Sequence, residues 1–158
     1  MNTQPGRILI GQYNGKSLTS KIISRKTWSD ITHTSAFLND EVVIEAWGGG
    51  VTKRTWREGH TPGTRIRIMR VECTKEQEEK FYAFLESQIG KKYDFAGILG
   101  FGLSANLECK DRWFCSELIF AAAQYAGIEL LKRIEAHKVY PGLLDVSPRL
   151  KLQEARFT

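Results

Sequence analysis

A chain of 158 residues with a net charge of +5 fits one domain, spanning residues 1–158, and can bury a core without disulfide or metal staples. Its 42% hydrophobic and 26% charged residues match a globular protein and exclude a disordered or low-complexity chain. No apolar run approaches the roughly 20 residues of a membrane-spanning helix, and residues 1–6 lack a basic-then-apolar secretory signal, so a cytoplasmic location is expected.

Residues 7–12 read as a first strand, and residues 17–25 as a short helix with Leu18, Ile22 and Ile23 facing inward. Residues 32–38 and 41–47 are two β-rich runs around Asn39-Asp40, a hairpin signal. Gly48-Gly49-Gly50 then turns the chain into a strand over 51–56, and residues 65–71 alternate as a half-exposed strand does. Thr74 and Gln77 have capping-box spacing before a stripe of Phe81, Phe84, Leu85 and Ile89, and Gly90 closes that helix. Asp94 is placed to cap a second helix through residue 103, followed by a loop over 104–112. A hydrophobic helix runs from Cys115 to about Tyr125, where Gly127 stops it, and the tail with Pro141 and Pro148 reads mostly as loop. Strands first and helices after make an α+β arrangement.

Cys73, Cys109 and Cys115 cannot all pair within one molecule. None forms Cys-x-x-Cys, and His33, His60 and His137 show no metal-ligand spacing, so neither a disulfide scaffold nor a metal or other cofactor is expected. Free thiols suit a reducing compartment. Lys53, Arg54, Arg57, Arg65, Arg67 and Arg70 crowd a stretch whose one acid is Glu58. That stretch is either a solvated strand face or a surface for an anionic polymer or lipid, and no specific nucleic-acid motif accompanies it.

The chemistry centres on Cys115, in Trp113-Phe114-Cys115-Ser116-Glu117-Leu118-Ile119. A thiol at a helix start faces unpaired backbone N–H groups and the positive end of the macrodipole, which favour the nucleophilic thiolate. The same thiol shares a helical face with Leu118, Ile119 and Ala122, as a small packed hydrophobe would. A histidine decides between the two readings. His33, at the start of an alternating strand, is the natural proton acceptor, whereas His60 and His137 lie in loops that hold geometry less well. Glu45, on the next strand, could orient the imidazole if the strand register allows. A two-residue turn at Asn39-Asp40 would put Glu45 on the opposite face, whereas a three-residue connection of Leu38, Asn39 and Asp40 would set it against His33. The odd-length connection is predicted.

The order His33, Glu45, then Cys115 resembles the circularly permuted branch of the NlpC-type papain-fold superfamily, the YiiX-like proteins, relatives of the lecithin:retinol acyltransferase-like enzymes. The matching pieces are Arg7-Ile8-Leu9-Ile10, Thr32-His33-Thr34-Ser35-Ala36, Val43-Ile44-Glu45-Ala46 with Gly50-Val51, Gly90-Lys91-Lys92-Tyr93-Asp94, Phe114-Cys115-Ser116-Glu117-Leu118, and Tyr140-Pro141-Gly142-Leu143-Leu144 with Ser147-Pro148. Thr34-Ser35-Ala36 departs from the more usual valine-glycine after the histidine. The resemblance implies a permuted papain-like fold, a small antiparallel sheet packed against helices. It implies a cysteine hydrolase or amidase with Cys115 as nucleophile, His33 as general base and acid, and Glu45 as orienting residue. The substrate it implies is a peptide, possibly from a cell wall, or an acyl–amino acid amide. Tyr93 would either support the oxyanion or fill the core, and Glu117, roughly 200° around the helix from Cys115, would point away and serve structure. The alternatives are a lipid acyl hydrolase or acyltransferase, or a non-catalytic module binding through its basic strand.

Overall fold

In a computed structural model that describes residues 4–95 and 111–158, the first half of the chain is mainly strand. In chain order the elements are β1 (Pro5–Asn14), α1 (Leu18–Thr27), β2 (His33–Phe37), β3 (Val42–Trp47), β4 (Gly50–Thr55), β5 (Arg65–Thr74), α2 (Lys75–Ser87), β6 (Lys92–Tyr93), β7 (Arg112–Trp113), α3 (Cys115–Tyr125), short 3-10 turns at Ala136–Lys138 and Pro141–Val146, and β8 (Lys151–Phe157). The predicted helix from Asp94 and the loop after it fall mostly on residues outside the described ones, as does Cys109.

Six strands form one sheet in the order β4-β3-β2-β1-β5-β8, with every neighbour antiparallel. Side chains alternate across a strand, so each strand serves two faces. Ile8, Ile10, Ala36, Ile44, Ala46, Met69 and Val71 join Phe81 and Leu85 of α2 and Leu118, Ile119 and Ala122 of α3 in the main core. Tyr13, Phe37, Val43, Trp56, Ile66 and Ile68 make a second, smaller cluster. Helix α2 starts with the predicted reciprocal cap: the Gln77 N–H donates to Thr74 Oγ1 and the Thr74 N–H donates to Gln77 Oε1. At Gly50, φ is +112° and a Cβ would sit 2.4 Å from the Lys91 carbonyl oxygen, so glycine lets β4 approach the segment leading to β6.

Three expectations are corrected. Leu18 and Ile22 of α1 do not face inward; they are 76% and 42% exposed, and Ser20 and Ile23 are buried instead. A polar seat decides this rotation: Ser20 donates its N–H to the N-cap Ser17 Oγ, and a Cβ at Gly15 would fall 2.2 Å from Ser20 Oγ. The tail is not mostly loop, because β8 pairs with β5 from Arg65↔Phe157 to Arg70↔Lys151. The free edge of β5 offers backbone donors and acceptors that need partners, and the tail supplies them. The β2–β3 connection has the predicted odd length but consists of Asn39, Asp40 and Glu41, with the Leu38 N–H donating to the Val42 carbonyl at 2.8 Å. Ala36 pairs with Ile44 and Phe37 with Val43, so the register carried back sets His33 opposite Trp47 and diagonal to Glu45. The slide by one residue moves both ends of the connection together, which keeps His33 and Glu45 on one face.

Candidate active site

Strands β6 and β7 pair in parallel, Tyr93 beside Trp113, and the Asp94 N–H donates to the Trp113 carbonyl at 3.0 Å. This clamp holds Tyr93 next to the first turn of α3. Phe114 is the N-cap in extended conformation, and Cys115 is the first helical residue. Glu117 reaches back to accept from the Phe114 N–H at 3.4 Å, which satisfies one of the donors a helix start leaves open. Its role is therefore at the cap, as expected. Leu118, Ile119 and Ala122 are fully buried behind the thiol, and Cys115 itself is 1% exposed.

Burial alone fits a packed hydrophobe; the imidazole beside it does not. Cys115 is electrostatically coupled to His33, which opens β2 and is itself buried. His33 Nε2 lies 2.6 Å from Glu45 Oε2. The other carboxylate oxygen of Glu45 accepts from Arg54 Nε on β4. His33, Glu45 and Arg54 thus form one continuous polar chain, with the buried Cys115 coupled to its imidazole end. Burial by itself would push the His33 pKa down. The negative charges of Glu45 and Cys115, with hydrogen bonds to both, outweigh it and raise the value to about 9. Burial opposes ionisation of Glu45 in the same way, yet the His33 and Arg54 cations hold its pKa below the usual value.

Aromatic rings wall this chain. Trp47 meets His33 edge-on at 4.5 Å, Tyr13 lies 5.1 Å from it, and the Tyr13 hydroxyl is 2.9 Å from Ser35 Oγ. Burial, and then the charges of Cys115, Asp94 and Glu45, raise the Tyr93 pKa, so its phenol keeps its proton. His60 stacks on Tyr13 at 4.3 Å and stands 5.6 Å from His33, packed into the site despite its loop origin. Burial and the neighbouring cations lower its pKa to about 4, so it is neutral. His137 pairs instead with Glu135, 3.5 Å away on the short turn of the tail. The sequence reading missed Arg54, Trp47 and His60 as site residues. Arg54 had a readable signal, since Glu45 pairs with Thr52 and two residues further on returns to the same face. No local pattern pointed to His60.

Of the six cations in the basic stretch, five are paired with carboxylates, and Arg65 is exposed on β5. Lys53 meets Glu86, Arg54 meets Glu45, Arg57 meets Glu41, Arg67 meets Asp145 and Arg70 meets Glu72, all within ion-pair distance. Such pairs contribute little stability at the surface, but they cancel the field that would draw a polyanion.

The family described as permuted papain-like amidase enzyme, YaeF/YiiX, C92 family, matches residues 2–140. The chain belongs to this family. The permuted papain-like amidase is thus a cysteine hydrolase acting on a peptide or other amide. A crystal structure of yiiX from Escherichia coli O157:H7, described as a metalloprotein, shares the fold with a TM-score of 0.72 and 24% identity over 100% of both chains. No curated protein matches the amidase. Among its described residues, no helix is long and apolar enough to cross a membrane.

Proposed function

We propose that Cys115, His33 and Glu45 form the catalytic triad of an amidase that works through an acyl-cysteine intermediate. The observation that carries this reading is the buried cluster in which His33 Nε2 lies 2.6 Å from Glu45 Oε2 and the same imidazole is electrostatically coupled to Cys115 at the start of α3. In the first step Cys115 Sγ attacks the amide carbon while its proton rests on His33 Nδ1. The carbonyl oxygen becomes an oxyanion beside the backbone N–H of Cys115, and Tyr93, which keeps its proton, is assigned the second hydrogen bond to it. Collapse of this tetrahedral species breaks the C–N bond, and His33 gives its proton to the departing amine. His33 then takes a proton from water, hydroxide attacks the thioester carbon, and the carboxylate product leaves as the sulfur recovers its proton. Glu45 keeps the ring in one orientation throughout and balances the imidazolium charge.

The description of the crystallised relative raises the question of a metal. Ligand atoms of His33, Glu45 and His60 all lie within 4.8 Å of one another. Two imidazoles and a carboxylate would suit a divalent ion. Here, however, both Glu45 oxygens are engaged, by His33 and by the Arg54 guanidinium, and that fixed cation repels a second one. The residues as arranged do not fit a metal, and the reaction above needs none.

The substrate class is a peptide-type amide, either a cell-wall peptide or an acyl–amino acid. Turnover of a panel of N-acyl amino acids and short peptides tests it, with phospholipid and fatty-acyl esters alongside. Cys115→Ala should abolish hydrolysis by about 10⁴-fold or more while keeping the fold. Mass spectrometry should trap an acyl adduct on Cys115. Rapid iodoacetamide labelling should favour Cys115 over Cys73, whose thiol is pushed up by burial and by Glu78. Full activity of Cys115→Ala would refute the mechanism. Equal, slow labelling of Cys115 and Cys73 would point to a binding module.

A further inference from the structure

Helix α1 turns its apolar residues to solvent. Leu18 is 76% exposed, Ile22 42% and Trp28 94%. Leu18, Lys21, Ile22 and Arg25 stand three and four residues apart on one helical face and line an open cavity of about 530 Å³ that extends to Asp30 and Thr32. Lys16 and Lys26 lie exposed beside them, and the first turn holds no acid. Trp28 is also the C-cap, with φ of +52°, a left-handed conformation that favours glycine and disfavours a bulky side chain. A large indole is thus held almost wholly in water, in an uncommon backbone state, with no packing of its own to offset it.

Three exposed hydrophobes interleaved with cations suit one partner in particular. An anionic bilayer offers phosphates to the lysines and arginine and an acyl boundary to the leucine, isoleucine and indole. A polyanion in solution would use the cations and leave the three hydrophobes without a role. Between residues 15 and 35 Asp30 is the one acid, against Lys16, Lys21, Arg25 and Lys26.

We infer that α1 and Trp28 form a docking surface for a membrane rich in anionic phospholipid, independent of the catalytic chemistry. The test is flotation of the full chain with vesicles of phosphatidylglycerol and phosphatidylcholine, compared with vesicles of phosphatidylcholine alone. The chain should float with the anionic vesicles and not with the neutral ones. The triple variant L18S/I22S/W28S and the double variant K21E/R25E should each weaken that binding by about tenfold or more. Both alter exposed residues only, and circular dichroism checks that they fold. As a second measurement, tryptophan emission should shift to the blue on anionic vesicles, and Trp28→Phe should remove most of that shift. Absence of flotation overturns the inference. So does flotation that the triple variant leaves intact, because the attraction is then charge alone and arises elsewhere. Hydrolysis of a soluble amide should stay unchanged in every variant, which separates this surface from the triad.

Discussion

Helices α1 and α3 are almost equal in length, yet one is a surface element and the other is core. Only Ser20 and Ile23 of α1 are buried, whereas every residue of α3 from Cys115 to Ala123 is. The difference follows from where each helix sits. Helix α3 packs against β2, β3 and α2 and is enclosed on most sides, so its small residues Ala121, Ala122 and Ala123 let the neighbours come close. The buried part of helix α1 is one polar turn and one isoleucine. Rigidity in the amidase is therefore concentrated where the thiol stands, since a side chain fixed by its whole helix keeps its distance to the imidazole.

The sharpest way to break this contrast is a matched pair of truncations. Leu118→Ala in α3 should destabilise the fold by about 2–5 kcal/mol, because it removes a fully buried side chain and leaves a cavity. Leu18→Ala in α1 should change stability by no more than about 0.5 kcal/mol. Denaturant midpoints at constant slope measure both, and similar losses would mean that α1 is as much a part of the core as α3.

Next in size is Glu45→Gln. It removes the charge that opposes burial at His33, so the imidazole pKa should drop well below 9 and amide turnover should fall by about 100-fold. A pH–rate profile whose alkaline limb does not move to lower pH would show that Glu45 does not govern the ring. The same histidine ties stability to pH. Its folded value, about 9, lies above the ordinary 6.5, so folding strengthens its hold on the proton. The resulting stabilisation is complete below pH 6.5 and is lost as pH rises through 9. Melting temperatures across pH 6 to 10 should fall over that window in the native chain and much less in a His33→Gln variant.

The smallest effect belongs to Arg54→Gln, a positioning change separated from the sulfur by Glu45 and His33. It frees one Glu45 oxygen and should raise the Glu45 pKa. Turnover should decline several-fold, with the acid limb of the profile moving up and Arg54→Lys restoring part of the loss. An unchanged acid limb would reduce Arg54 to a surface pair.

Much of the fold was legible in the residues. The capping box at Thr74 and Gln77, the Gly127 stop and the alternation from Arg65 onward are local signals, and each element forms where it was expected. Of the site, Cys115 and His33 were legible from their places at a helix start and a strand start. Glu45 was legible through the parity of one short connection. What local order determined is therefore each element, its periodicity and the odd length of the β2–β3 link, because these depend on neighbours within a few bonds. Tertiary structure decided which residues of α1 face inward, that the tail becomes an edge strand, and that Arg54 and His60 join the imidazole. Those outcomes depend on contacts between segments tens of residues apart, where a polar seat, an open sheet edge or a buried charge selects its partner.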